Sequence, residues 1–384
     1  MKTRAFIVLV CLTATIPLVA APAAPTNVAA TDGTHAAKVA ITWKAVTGAS
    51  SYEVWRATSS SSTSAARITT RTTLSYDDTS AAAGTTYYYW IKARNSTGTS
   101  NLSSSDSGYR ISIVFQEHGS SYGYDQYTDA THPWKSVEAG KSDSVRAVIT
   151  PSAPYKVVSF ASASSSQVSV SPSTPSSASQ VLSNQGGTSR GTARINVRAH
   201  GNDLGYYSGA VYRKIQRTVA VTLVHEQDTD GKGANQGYSS VDISDSLIIS
   251  DLQRVYKQAV IEWTVVRRAA CTVNFDLNND GKIDVNTWMS AEMQKIRDIC
   301  GSSHQYNIFL VSKPSDGSSG FMQANQKYGF VHVENGNAKT VGHELGHGSG
   351  GLSHTPSDSE NIMYNYSSST KWRLRKGQWD RLNP

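Results

Sequence analysis

The chain has 384 residues, 38% hydrophobic and 17% charged, with 36 Lys and Arg against 29 Asp and Glu for a formal net charge of +7. That length exceeds one ordinary domain and predicts about two to three. The basic residues are scattered, and the short groups Arg267-Arg268 and Arg373-Leu374-Arg375-Lys376 carry no interleaved aromatics. This argues against nucleic-acid binding and makes the positive balance a matter of solubility and weak attraction to acidic cell-surface polymers.

Residues 1–23 read as a secretory signal peptide. Lys2 and Arg4 give a positive start, Ala5 to Leu18 an apolar run, and Ala20 to Ala24 small residues suited to cleavage. The run is short for a membrane span and no second candidate follows, so a secreted chain (extracellular or periplasmic) with no membrane span is expected. Residues 24–110 alternate apolar and polar positions between Ser/Thr/Gly-rich turns, as in Val39-Ala-Ile-Thr-Trp43, Tyr52-Glu-Val-Trp-Arg56 and Tyr87-Tyr-Tyr-Trp-Ile91. Trp43 is placed to fill the space between two sheets, and Tyr87 and Tyr89 suit a tyrosine corner. This segment resembles a fibronectin type III module, which implies a spacer or a binding surface.

Residues 111–217 carry short β-like runs at Ser144 to Ile149, Lys156 to Phe160, Gln167 to Val170 and Gly191 to Val197, separated by Ser/Pro/Gly-rich turns. Their spacing predicts a second, Ig-like β-sandwich. The aromatic-rich stretch Tyr122 to Trp134 reads as a loop packing against a neighbouring domain. Residues 218–384 change texture. Val219 to His225 reads as a buried strand, followed by a polar, Gly-rich loop. Leu252, Val255, Tyr256, Ala259, Val260 and Trp263 recur at helical spacing. Cys271 to Leu277 is expected as a strand, Trp288 to Ile299 as a helix, and Tyr306 to Ser312 and Tyr328 to Glu334 as strands. Asn337 can cap a helix whose Ala338, Val341 and Leu345 pack inward, and Lys376 to Leu382 reads as a closing helix.

The chemistry concentrates in His343-Glu344-Leu345-Gly346-His347, Gly348-Ser-Gly-Gly-Leu-Ser-His354 and Asn361-Ile-Met363-Tyr364. Residues four apart share a helix face, so His343 and His347 can present two imidazoles to one metal ion. Glu344 is placed to take a proton from metal-bound water. The glycines after His347 allow a sharp turn that could swing His354 back as a third nitrogen ligand, leaving one position open as in catalytic zinc sites. The plainer alternative is a polar helix face with incidental histidines and a solvated loop His354.

From about Ala338 to Met363 the sequence resembles the metzincin clan of zinc metallopeptidases, whose signature is HExxHxxGxxH followed by a Met-turn. The third His arrives one residue late: Ser353 holds the usual place. Imidazole is the better zinc ligand, which assigns His354. The longer match, His343 to Trp379, is similar to a group of secreted bacterial metzincin-like proteins. The resemblance implies a multidomain chain of two N-terminal all-β sandwiches followed by an α/β metzincin-like catalytic domain. It further implies Zn2+ held by His343, His347 and His354, Glu344 as general base, Met363 as an apolar floor, and a protein or peptide substrate. Asn365 stands where some metzincins carry a Tyr ligand, with Tyr364 and Tyr366 beside it, so no tyrosine ligand carries over. Strand Tyr328 to Glu334 is the expected edge for an extended substrate, and Tyr364 to Lys371 the expected wall of its selective pocket. Two other functions stay open: a cell-surface or matrix binding protein with a vestigial peptidase domain, or a different zinc hydrolase.

Two further features accompany this motif. Cys271 and Cys300 alone survive signal removal, and in an exported chain they most simply form a disulfide, the alternative being two buried free thiols. Asp276, Asn278, Asp280 and Asp284 place side-chain oxygens around Gly281 as in the first half of a Ca2+ loop, although Thr287 stands where the bidentate Glu is expected. The alternative is a solvated Asx-rich turn. His225, His304 and His332 are read as structural, His332 at the surface.

Overall fold

A computed structural model describes residues 20–152, 155–227, 242–278, 280–286, 288–312, 314–333, 337–364 and 372–384. The signal-like segment up to residue 19, Thr287, much of the polar loop after His225, and the pocket wall at 365–371 lie outside them. The chain divides into two units, one of Met1–Ser112, Thr150–Pro154 and Ala199–Leu204, the other of Ile113–Ile149, Tyr155–Arg198 and Gly205–Pro384.

In the first unit lie β1 (Ala29–Ala30), β2 (Val39–Thr42), β3 (Ser51–Ala57), β4 (Ala66–Arg71), β5 (Ser75–Asp78), β6 (Tyr87–Arg94) and β7 (Asp106–Gly108). They form one sheet in the order β1-β2-β5 and another in the order β4-β3-β6-β7, a two-sheet module of fibronectin type III-like form. Alternation dictates the core: Val39 and Ile41 are buried while Ala40 and Thr42 turn outward. Trp43 fills the expected place, its ring 5.7 Å from that of Tyr52. Tyr89 is buried and its hydroxyl donates to Asp78 at 3.0 Å, so these aromatics serve the core.

The second unit begins with β8 (Ser112–Glu117), β9 (Tyr124–Asp125), β10 (Trp134–Glu138), β11 (Ser142–Thr150), β12 (Val158–Ser162), β13 (Val168–Ser171), β14 (Ser179–Gly186), β15 (Gly191–Ala199) and β16 (Asn202–Tyr212), of which only the end residues Ser112, Thr150, Ala199 and Asn202 to Leu204 count with the first unit. Two sheets result, β12-β15-β16-β10-β9 and β13-β14-β11-β8. Between them Tyr207 packs its ring 4.7 Å from Phe115 and donates to Asn184 at 2.6 Å. Lys135 and Asp143 form a buried ion pair at 2.7 Å that joins the two sheets. Removing one partner would leave an uncompensated buried charge, a loss on the order of 3–5 kcal/mol. The predicted runs became β11, β12, β13 and β15. Polar β14 carried too few apolar residues to be read from its pattern.

The rest of this unit is a sheet in the order β18-β17-β20-β22-β21, made of β17 (Ile215–Glu226), β18 (Ile261–Arg267), β20 (Tyr306–Val311), β21 (Gly320–Met322) and β22 (Tyr328–His332), with β19 (Cys271–Val273) pairing β17. All pairings are parallel except β21 with β22. Among the described residues four helices accompany it: α1 (Asp245–Tyr256), α2 (Ala291–Cys300), α3 (Ala338–Gly350) and α4 (Lys376–Leu382). Alternation along the strands serves two cores. Val219, Val221, Ile308, Leu310 and Val331 face α1, α3 and α4, whereas Val224, Phe309, Val311 and Phe330 face α2. The boundary expected at residue 218 lies inside β17.

Several expectations shift. The helical spacing that runs on to Trp263 in the sequence stops at Tyr256 and a short 3-10 turn, because Val260 adopts a left-handed backbone (φ 56°) and Ile261 opens a β-branched strand. Trp263 is buried from that strand instead. The second helix starts at Ala291, where the Ser290 hydroxyl caps it by accepting from Met293 N at 3.1 Å, leaving Trp288 outside and exposed. Strand β22 is an inner strand, and β21 is the edge. His332 is fully buried, its Nδ1 donating to Ser318 O at 2.8 Å.

Candidate metal centre

Helix α3 starts where Asn337 predicts. The Asn337 side chain accepts from Lys339 N at 2.9 Å, and its own backbone N–H donates to Thr340 Oγ1 at 3.1 Å. Val341 and Leu345 are fully buried and fix the helix's rotation, which turns His343 and His347 away from that core. The glycines do not stop the helix at His347; it continues to Gly350. The turn comes at Gly351 (φ 56°), whose N–H donates to His347 O at 2.9 Å while Leu352 N donates to Gly346 O at 3.2 Å. A side chain at Gly346 would meet Met363, since a Cβ there would lie 2.5 Å from its sulfur.

That turn returns His354 to the helix. The Nε2 atoms of His343, His347 and His354 lie 3.2 Å from one another. Among the described residues, no other three His, Cys, Asp or Glu side chains bring ligand atoms so close. Two carbonyls orient the rings: Ile362 O accepts from His343 Nδ1 at 2.7 Å, and Leu352 O accepts from His347 Nδ1 at 2.6 Å. A carbonyl can only accept, so each Nδ1 carries the proton and each Nε2 presents a lone pair in the neutral ring. Burial, with His354 nearby, pushes the His347 imidazole pKa down despite its bond to Leu352 and favours the neutral form. The two lone pairs of His343 and His347, facing each other at 3.2 Å, repel unless a proton or a cation lies between them. A tetrahedral Zn2+ with bonds of ~2.0–2.1 Å sets its nitrogen ligands about 3.3–3.4 Å apart, so the donor set fits.

The Asn361–Met363 turn is tied in from both sides. Met363 is fully buried; its N–H donates to Asn361 Oδ1 at 3.0 Å and its carbonyl accepts from Thr355 N at 2.9 Å, next to His354. Asn361 and Gln378 of α4 exchange side-chain amide bonds of 2.8 and 3.2 Å. Sequence reasoning missed this clamp, because nothing marks Gln378 as a partner of a residue seventeen positions earlier. Glu344 is 4% exposed, and burial pushes its carboxyl well above the usual carboxylate range.

The disulfide Cys271–Cys300 is present, with Cα atoms 5.8 Å apart. Around Gly281, Asp276 accepts from the N–H groups of Asp280 (3.1 Å) and Gly281 (2.7 Å), Asn278 from Asp280 N (3.0 Å), and Asp280 from Lys282 N (2.9 Å). Asp284 N donates instead to Glu292, which also accepts from Leu277 N. Burial, together with Asp284 and Asp276 nearby, pushes the Glu292 carboxyl up. Glu292, on α2 beyond the end of the motif, went unremarked in the sequence. Among the described residues no helix is long and apolar enough to cross a membrane.

No family model matches the chain, and no curated protein matches it. Among solved structures it is similar to a Fn3-like protein from Clostridium thermocellum, at 33% identity, covering 26% of this chain and 100% of that one with a TM-score of 0.22. It is also similar to FN3tt, at 22% identity over 24% of this chain and 98% of that one, TM-score 0.21. The FN1–FN3 domains of chicken CNTN1 match at 16% identity over 51% of this chain and 68% of that one, TM-score 0.23.

Proposed function

We propose that the chain is a secreted zinc-dependent endopeptidase of metzincin type. The observation that carries this reading is the triangle of Nε2 atoms 3.2 Å apart, with Glu344 following the first of its histidines. His343, His347 and His354 hold the ion. Bound there, zinc supplies a Lewis acid for the scissile carbonyl and for the attacking water. The Glu344 carboxylate takes a proton from that water as it attacks, then delivers one to the departing amine nitrogen. Among the described residues strand β21 pairs with β22 on one side only, and an extended peptide adds to its other edge by main-chain hydrogen bonds. The fibronectin type III-like module and the second sandwich hold the enzyme at cell-surface or matrix polymers.

The test is metal analysis of the mature protein alongside casein cleavage, wild type against Glu344→Gln. Both proteins should carry equimolar zinc, and a chelator should abolish wild-type activity. The amide keeps the shape of the carboxylate without its basicity, so turnover should fall roughly 10²–10⁴-fold. Undiminished turnover in the variant would sink the mechanism.

A further inference from the structure

We propose that Gly320 on edge strand β21 is a positioning residue for Glu344, its missing side chain leaving the space in which that carboxyl lies. The proposal rests on the peptidase reading and adds a residue that the motif does not contain. A Cβ built on Gly320 would stand 2.6 Å from Glu344 Oε1, 3.0 Å from its Cδ and 2.9 Å from Thr340 Cγ2. The backbone does not ask for glycine there. Gly320 is not among the positive-φ residues and pairs in ordinary register with Val331 of β22.

The neighbouring rung shows why the strand stays in place. Met322, two residues along β21, fills the space a side chain at Gly348 would need: a Cβ there would meet Met322 Cε at 2.0 Å. Two strand residues advance about 6.6 Å and four helix residues about 6.0 Å, so β21 and α3 keep step over this distance. On one rung the helix supplies the large group (Glu344) and the strand none (Gly320). On the next the strand supplies it (Met322) and the helix none (Gly348). Gly320↔Val331 and Met322↔Gly329 pairing holds the strand from its other side. A methyl at position 320 would therefore push on the two side chains it meets, the Thr340 methyl and, most closely, the Glu344 carboxyl, and carry the carboxyl toward the ~3.4 Å of ordinary contact.

The test is Gly320→Ala, alone and combined with Glu344→Asp, whose carboxyl is withdrawn by one methylene. A crystal structure of Gly320→Ala should keep the β21–β22 pairing and show the Glu344 carboxyl displaced. Zinc content and melting temperature should match wild type. On casein, kcat should fall roughly 10–100-fold with KM nearly unchanged, because the lost element is geometry at the reacting centre. In the Glu344→Asp background the same substitution should cost less than about threefold further, since the contact it acts through is gone. An active wild type with an indifferent Gly320→Ala overturns this role alone, as does an unmoved carboxyl or an equal loss in both backgrounds. A wild type without zinc-dependent cleavage overturns the peptidase reading and this role with it.

Discussion

Burial alone would push the Asp78 carboxyl up, but hydrogen bonds from Ser80, Arg56 and Tyr89 hold it below the usual carboxylate range. The Arg56 guanidinium approaches at 2.6 Å, Ser80 Oγ donates at 2.7 Å and the Tyr89 hydroxyl at 3.0 Å. A carboxyl whose folded pKa lies below its unfolded value of ~3.9 adds stability above that pH and loses it as the pH falls through the folded pKa. Asp78→Asn should therefore destabilise the first unit by about 1.5–3 kcal/mol at pH 7, with the gap to wild type closing on acidification. Calorimetry of the intact chain across that range checks it; a gap that stays constant to low pH would remove the linkage. Single residues differ in how far their neighbours could be read. His343 and His347 were legible because helical spacing is local, and His354 because one short turn separates it from them. The Gln378–Asn361 contact and the closeness of Gly320 to Glu344 were not, since each arises only when a distant element folds against the site.

Element by element, local signals located α3 and α4 closely, whereas long-range ones decided the sheet. The Asn337 cap and the buried spacing of Val341 and Leu345 are written within one helix. That β21 rather than β22 forms the edge depends on pairing between segments, which periodicity does not encode. Trp263 shows the limit from the other side: it falls at helical spacing after Ala259, yet the turn at Val260 delivers it to a strand. The disulfide is a constraint of this kind that the cysteine count did reveal. It fastens β19 to the end of α2 across a sequence separation of 29 residues, beside a small core of Val273, Phe275, Met293 and Ile296. Closing a loop of that length limits the unfolded chain by about 3–4 kcal/mol in the chain-entropy model. Reduction should therefore lower the melting temperature of the second unit, while zinc loaded at the proposed three-histidine site should be retained at temperatures below that transition. An identical calorimetric trace with and without reductant would show that the bridge contributes nothing.

For the whole molecule, the second sandwich reaches the three-histidine region through the stretch Tyr122 to Trp134, which is not all loop: Tyr124–Asp125 form β9 and Trp134 opens β10. Asp125 accepts from Lys376 N at 2.7 Å, at the start of α4. Ser136 donates to Gln258 O at 2.7 Å, and Gln258 in turn binds Trp372 O (2.8 Å) and Leu374 N (3.1 Å). Tyr127 donates to Glu360 at 2.9 Å, just before the turn that carries Met363, and also contacts Arg373. Gly123 lies so close to Trp379 that a Cβ there would come within 2.5 Å of its ring. The sandwich thus covers α4 and steadies both the Asn361–Met363 turn and the segment at Trp372–Leu374. A fragment starting at residue 218 would lose the first part of β17 and expose the buried Trp379 face, so it should be poorly folded and bind zinc weakly. A fragment of residues 113–384 keeps the unit whole and should bind zinc as the full chain does. If the shorter fragment melts cooperatively at the temperature of the longer one and holds equimolar zinc, the sandwich is a separable appendage and no part of the scaffold around the histidines.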